Sequence, residues 1–212
     1  MEISIKKTFI QPFCFSRRFN FTPELFYDGE QLDVVYTAKL LGVHFSSDLR
    51  WNTHISEMSK KANSKLFFIR RLKDLRASQS TLVEIYKLFI RQGLEFAAPL
   101  WTSSLSKKNI KDLEKLQARA TDIICGYENR LSYEQRLGVL SLLSLKTRRW
   151  AITERFAVDC SKNPKFQHLF KERPYQNTRS KQKYCEIQAR TKRYASSPIP
   201  TYISLVNKIS QN

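Results

Sequence analysis

The spacing of apolar residues changes character once along this chain, at Trp51, and that change restricts the fold more than any other feature. Upstream, Ile3, Ile5 and Phe9 open a short run, and Phe13, Phe15, Phe19 and Phe21 alternate with polar neighbours. Leu25-Phe26-Tyr27 and the group Leu32, Val34 and Val35 then flank Asp28-Gly29. Alternation is the signature of strands and Asp-Gly of a two-residue hairpin. Residues 1–50 are therefore expected to form a short, incomplete antiparallel sheet, with Leu40–Phe45 as a further strand.

From Trp51 onward the period is helical. Ile55, Met58, Ala62, Leu66, Ile69 and Leu72 step by three or four and predict a helix over about 53–73. A second helix starts at Ser78 or Ser80, carries Leu82, Ile85, Tyr86, Phe89 and Gly93, and is broken by Pro99. Ser106 reads as the N-cap of a third, closed by Gly126, and Ser132-Tyr133-Glu134-Gln135 has the form of a capping box. A fifth helix over about 142–160 points Leu145, Ile152 and Phe156 inward and Arg148, Arg149 and Trp150 outward. After Pro164 the periodicity dissolves. Lys171–Arg193 reads as a basic, flexible tail, Ser197-Pro198-Ile199-Pro200 as a block to helix formation, and Tyr202–Ile209 as a short docking segment. The expected fold class is α+β: an incomplete N-terminal sheet, a mainly helical bundle and a basic tail.

Charge bears on partners. The 212 residues hold 37 Lys and Arg against 19 Asp and Glu, a formal net charge of +18. Self-repulsion of that size opposes compaction unless a polyanion relieves it, and nucleic acid is the obvious polyanion. Lys60, Lys61, Lys65, Arg70 and Arg71 lie on the first helix, where phosphate contacts give affinity without sequence choice. A merely solvated helix face is the plainer reading of the same residues. Arg179, Lys181, Lys183, Arg190, Lys192 and Arg193 are interleaved with Tyr184 and Tyr194, a pattern suited to stacking on single-stranded bases.

Other chemistries lack their residues. The four cysteines, Cys14, Cys125, Cys160 and Cys185, form no Cys-x-x-Cys pair, and only His44, His54 and His168 are available to share a metal. Reduced thiols and the absence of an apolar leader or membrane-length run suit an intracellular protein, nuclear or cytoplasmic, with no membrane partner. Two-metal nucleotidyl transfer needs adjacent carboxylates, whereas the seven aspartates (28, 33, 48, 74, 112, 122 and 159) are dispersed. Asp112 and Glu114 occupy the first half of a helix, where negative charge is favourable without any chemical role. His54 reads as a capping or packing residue. No catalytic residue, metal ligand or cofactor is assigned.

One block adds a resemblance. Lys39-Leu40-Leu41-Gly42-Val43, Trp51, His54-Ile55 and Lys60-Lys61-Ala62-Asn63, in that order, resemble a block of the reverse transcriptases of jockey-type non-LTR retrotransposons. Leu94-Glu95-Phe96-Ala97 with Trp101, Leu113-Glu114 with Gln117 to Ala120, and Asn163-Pro164-Lys165-Phe166 with His168-Leu169-Phe170 are similar to later segments of the same family. The resemblance implies a palm remnant over 1–50, a thumb-like bundle over 51–130, post-thumb helices over 131–170 and a basic tail over 171–212. It also implies a truncated RNA-directed DNA polymerase without its Asp-Asp motif, binding RNA·DNA hybrid or single strands but not polymerising. The parent enzyme would use Mg²⁺, with a Lys at the position of Lys7 as its general acid. The alternative is a helical protein-interaction module retained as a host protein.

Overall fold

The computed structural model describes residues 4, 8–13, 23–174 and 182–210. Lys7, Cys14, Phe15, Phe19, Phe21, Arg179 and Lys181 lie outside the described residues. The fold is α+β, and the chain divides into two compact units, Met1–Glu57 and Met58–Asn212.

The first unit holds three two-stranded ladders. β2 (Phe26–Tyr27) and β3 (Glu30–Gln31) are the hairpin expected at Asp28-Gly29, whose central residues have φ of 52° and 79°. Positive φ at both positions gives the right-handed strand twist a tight hairpin needs, and glycine adopts it without cost. β5 (Thr37–Leu40) and β6 (Val43–Ser46) form a second hairpin across Leu41-Gly42. This corrects the single strand expected over Leu40–Phe45: Leu41 is left-handed at φ 47°, a conformation rare for a branched side chain and invisible to turn rules based on composition. The third ladder, β1 (Phe9–Ile10) with β4 (Asp33–Val34), is parallel, so the ladders are not uniformly antiparallel. Trp51 is buried with its ring edge-on to Phe45 at 5.7 Å, and the buried His54 accepts the His44 N–H through Nδ1 at 3.4 Å. His54 is thus a packing residue that anchors a strand.

The second unit is helical, and no strand occurs between 55 and 125. α1 (Asn52–Asp74) begins in the first unit and continues into the second, where Met58, Ala62, Leu66 and Ile69 are its buried line. α2 (Gln79–Ile85) is capped by Ser78, and runs into a π-helical segment, Tyr86–Arg91, then α3 (Gln92–Glu95) and α4 (Ala98–Trp101). α5 (Lys107–Cys125) is capped by Ser106 and α6 (Tyr133–Val139) by the Ser132–Gln135 box, both where the sequence places them. α7 (Leu145–Lys162) is capped by Ser144, and α8 (Lys192–Ala195) and α9 (Pro198–Ile209) complete the unit. α7 is central: it packs on α4, α5 and α9.

Two expectations about the C-terminal third are revised. The prolines do not block α9; they start it, with Pro198 at its first position, where a missing N–H costs nothing. Within the stretch read as a tail, residues 171–173 pair with 183–185, and Tyr184 is buried edge-on to Phe170 at 5.4 Å. Ala157, Cys160, Phe170, Tyr184, Tyr202, Ile203 and Val206 form one apolar cluster. Asn207 is 1% exposed and clamps this pairing to α9, accepting the Tyr184 N–H at 2.9 Å and donating to the Tyr184 carbonyl at 3.0 Å. Asn207→Ala would strand a buried donor and acceptor together and is expected to cost about 2–4 kcal/mol. Urea unfolding of the variant beside the parent chain checks it; a loss below about 1 kcal/mol would show that the clamp is not needed.

α7 buries Leu145, Arg149, Thr153, Ala157 and Cys160, while Phe156 is 44% exposed. The predicted inward face is therefore rotated, and Arg149 is a core residue. Its guanidinium lies 5.7 Å from the Trp101 ring centre, and its Nε and Nη1 have no hydrogen-bond partner among the described residues. Carboxylates are nearby: Glu95 accepts a fork from Arg148 (Nε to Oε1, and Nη2 to Oε2 at 2.9 Å), and Arg91 approaches Glu95 to 3.8 Å. Glu114 accepts the Tyr133 hydroxyl at 2.7 Å and the Lys146 N–H, an orphan donor at the start of α7, at 2.6 Å. Burial opposes the charged form of Arg91 and Arg149, and the Glu95 hydrogen bond favours that of Arg148.

Burial raises the hydroxyls of Tyr86, Tyr133 and Tyr202 far above the ordinary tyrosine value of 10.0, and the Glu114 hydrogen bond adds to this at Tyr133. Above pH 10.0 the unfolded chain loses these protons and the folded chain keeps them, so stability is intact below that pH and falls above it. The slope is about 1.4 kcal/mol per pH unit for each tyrosine. Urea midpoints measured from pH 8 to 11 should fall only above 10, and Tyr86→Phe should remove about one proton from the slope. A flat profile through pH 11 would contradict the burial of these hydroxyls.

Candidate nucleic-acid interface

α1 carries five of the cations assigned from sequence, Lys60, Lys61, Lys65, Arg70 and Arg71, more than any other helix. Opposite the buried line, Lys60, Ser64, Phe67 and Arg71 recur at spacings of four, three and four, and all are exposed. At 1.5 Å per residue, Lys60 and Arg71 stand about 16 Å apart along the helix. Lys61, Lys65 and Phe68 form a neighbouring line, and Arg70 lies on the other flank of the outward side. The helix thus presents Lys60, Lys61 and Arg71 together, with Lys65 and Arg70 at its two margins.

Lys65 has a second engagement that its sequence position does not reveal. Its ammonium donates to the Phe89 carbonyl at 2.8 Å, which places the π-helical segment beside α1. That segment is anchored from below: the Tyr86 hydroxyl donates to Gln117 Oε1 at 2.8 Å, and Gln117 Nε2 donates to the Leu143 carbonyl at 2.8 Å. Further along α1, Lys73 Nζ donates to the Ile123 carbonyl, and Asn63 accepts from Arg119 at 3.3 Å. α1 is therefore tied both to α5 and to the segment that carries Phe89.

Three exposed aromatic residues lie on α1 and the π-helical segment; Phe67 and Phe68 were not assigned from sequence, and Phe89, read as part of the second helix's apolar face, is exposed because the π-helical segment shifts the register of that face. Phe67 is 56% exposed, Phe68 61% and Phe89 61%. The Phe67 and Phe68 rings meet edge-on at 6.1 Å, and the Arg71 guanidinium sits 5.9 Å from the Phe67 ring centre. A signal was available: on a helix whose buried line is Met58, Ala62, Leu66 and Ile69, adjacent phenylalanines at 67 and 68 fall outside the apolar stripe.

The C-terminal cations are less concentrated. Lys183 is exposed, 5.1 Å from the Tyr184 ring centre and 3.8 Å from Glu172; hydrogen bonding to Tyr184 and the Glu172 charge raise its pKa. Arg190 is exposed in an irregular stretch, and Lys192 and Arg193 are exposed on α8. The interleaved Tyr184 is a core residue, so the stacking role read for it is not open to it; Tyr194 is 47% exposed. Among the described residues no group of three or more His, Cys, Asp or Glu is placed to hold a metal ion, and no helix is long and apolar enough to cross a membrane.

The sequence model of one family matches this chain, over residues 51–91, about a fifth of its length: the family described as alkylated DNA repair protein alkB homolog 8, N-terminal. No curated protein and no solved structure matches. The match spans α1, α2 and the π-helical segment, and so contains Lys60 to Arg71 and Phe89. It also overturns the resemblance to reverse transcriptases. Trp51, His54-Ile55 and Lys60–Asn63 lie inside the matched segment, and the family it identifies is not a reverse transcriptase family. What those residues encode is an amphipathic helix entered through a buried Trp, with lysines outside its apolar line. That physical pattern does not require polymerase ancestry. The polymerase-fragment function, the mobile-element origin and the thumb assignment are withdrawn with it, and the alternative, a helical protein-interaction module, fits better.

Proposed function

We propose that the chain is a helical interaction module whose partner is nucleic acid, bound through phosphates by the outward side of α1. Lys60, Lys61, Arg70 and Arg71 make the contacts, and Lys65 adds to them from the margin where it also holds the Phe89 carbonyl. Lys183, Arg190, Lys192 and Arg193 form a second, more diffuse basic set, preceded in sequence by Arg179 and Lys181. The observation that carries this reading is the exposure of Lys60, Lys61 and Arg71 on one side of one helix in a chain of net charge +18. The description of the matched family, a DNA repair protein, supports the same partner class.

Such contacts need no cofactor, and they discriminate little among sequences because every nucleotide offers the same phosphate. RNA·DNA hybrid and single strands both present it. If α1 neutralises about five phosphates, log K on a duplex falls with log[salt] at a slope of about −4. Changing Lys60, Lys61, Arg70 and Arg71 to Ala removes most of that slope and weakens binding alike for unrelated sequences. Fluorescence anisotropy titrations over a salt series test this, with thermal melts to show that the variant is folded. No association of the parent chain at about 50 mM salt, or an unchanged slope in the folded variant, would overturn the proposal.

A further inference from the structure

We infer that the α1 surface is built for unpaired bases: its preferred ligand is a single strand, whose bases stack on Phe67 and Phe68 while Lys60 and Arg71 hold the flanking phosphates. The inference rests on the nucleic-acid reading and adds to it the form of the partner. A phosphate-binding helix needs only cations, yet this one exposes more than half of two adjacent phenylalanines, with a third on the neighbouring segment. An exposed ring forgoes part of the free energy that burial of a large apolar side chain returns. A duplex cannot recover it, because its bases are already stacked on one another and its rim is phosphate and sugar. Every unpaired base, in contrast, offers an open π face of any sequence.

The order of residues fits that use. Along the outward line Phe67 lies about 10 Å from Lys60 and about 6 Å from Arg71, so a base on the ring has a cation to either side. Phe68 faces the next line, beside Lys61 and Lys65, and the edge-on arrangement at 6.1 Å turns the two rings to different directions. Lys65 keeps Phe89 at the same margin through its carbonyl. A protein partner is the competing occupant. Protein interfaces deplete lysine at their apolar centres, and here Lys61 and Lys65 share the helix line of Phe68, and Lys65 donates to the Phe89 carbonyl.

The test uses the full chain with fluorescein-labelled oligothymidylate and with a DNA duplex of equal length, in the same buffer at about 50 mM salt. The single strand should bind at least about tenfold more tightly than the duplex. Phe67→Ala with Phe68→Ala should lose about tenfold or more on the single strand, while duplex affinity stays within about twofold. Phe67→Tyr with Phe68→Tyr keeps the π faces and should retain single-strand binding. Equal or tighter duplex binding by the parent chain would overturn this inference and leave the phosphate-binding reading standing. So would full single-strand affinity in the double Ala variant. Absence of binding to both ligands would overturn both.

Discussion

The carboxylate of Glu95 holds the second unit in register. It lies at the end of α3, accepts both arms of the Arg148 fork from α7, and has Arg91 within 3.8 Å at the end of the π-helical segment. One anion thereby fixes α7, on which α4, α5 and α9 pack, to the segment that carries Phe89. Charge-assisted hydrogen bonds of this kind contribute about 1.5–3 kcal/mol each, a large share of the 5–15 kcal/mol by which a domain is stable. Tyr86 and Gln117 repeat the connection from α5, a neutral bond in a fully buried setting. α1 lies on this frame through Lys73 and Lys65, whose ammonium groups donate to the Ile123 and Phe89 carbonyls.

That arrangement explains how a chain with so large a positive charge folds with few carboxylates. Three acidic residues are placed against inward-facing groups: Glu95 against Arg148 and Arg91, Asp122 against Arg136 at 3.2 Å, and Glu114 on the Lys146 N–H at the start of α7. Arg149 receives the more distant fields of Glu114, Glu95 and Tyr133 and the face of Trp101. The outward side of α1 keeps Lys60, Lys61 and Arg71 exposed, and the proposed polyanion partner would offset part of the chain's +18 charge.

The sequence was most legible where a local rule decides the outcome. The caps at Ser106 and Ser132, the Asp28-Gly29 hairpin and the buried line of α1 each follow from residue type and spacing within one or two turns. Three features escaped for the same reason in different places: each depends on what lies across from the residue. Arg149 reads as a surface cation until Trp101 is beneath it, the prolines before α9 read as breakers until Ser197 is its N-cap, and Tyr184 reads as part of a solvated tail until Asn207 clamps it. At the candidate interface the cations were visible in sequence, and Phe67 and Phe68 were legible as apolar residues outside the stripe of α1, whereas the exposure of Phe89 depends on the π-helical segment, which no local rule predicts. The resemblance to reverse transcriptases failed at a different level, because an amphipathic helix behind a Trp is a physical solution that more than one family uses.

The central claim, that nucleic acid binds along α1 and the π-helical segment, is tested most directly by locating the contact. A single-stranded oligonucleotide carrying photoreactive 5-bromouridine can be cross-linked to the full chain and the attached peptides identified by mass spectrometry. The account predicts cross-links within residues 60–71 and at Phe89, suppressed by excess unlabelled single strand. Cross-links confined to residues 182–210, or distributed without preference over the surface, would contradict it.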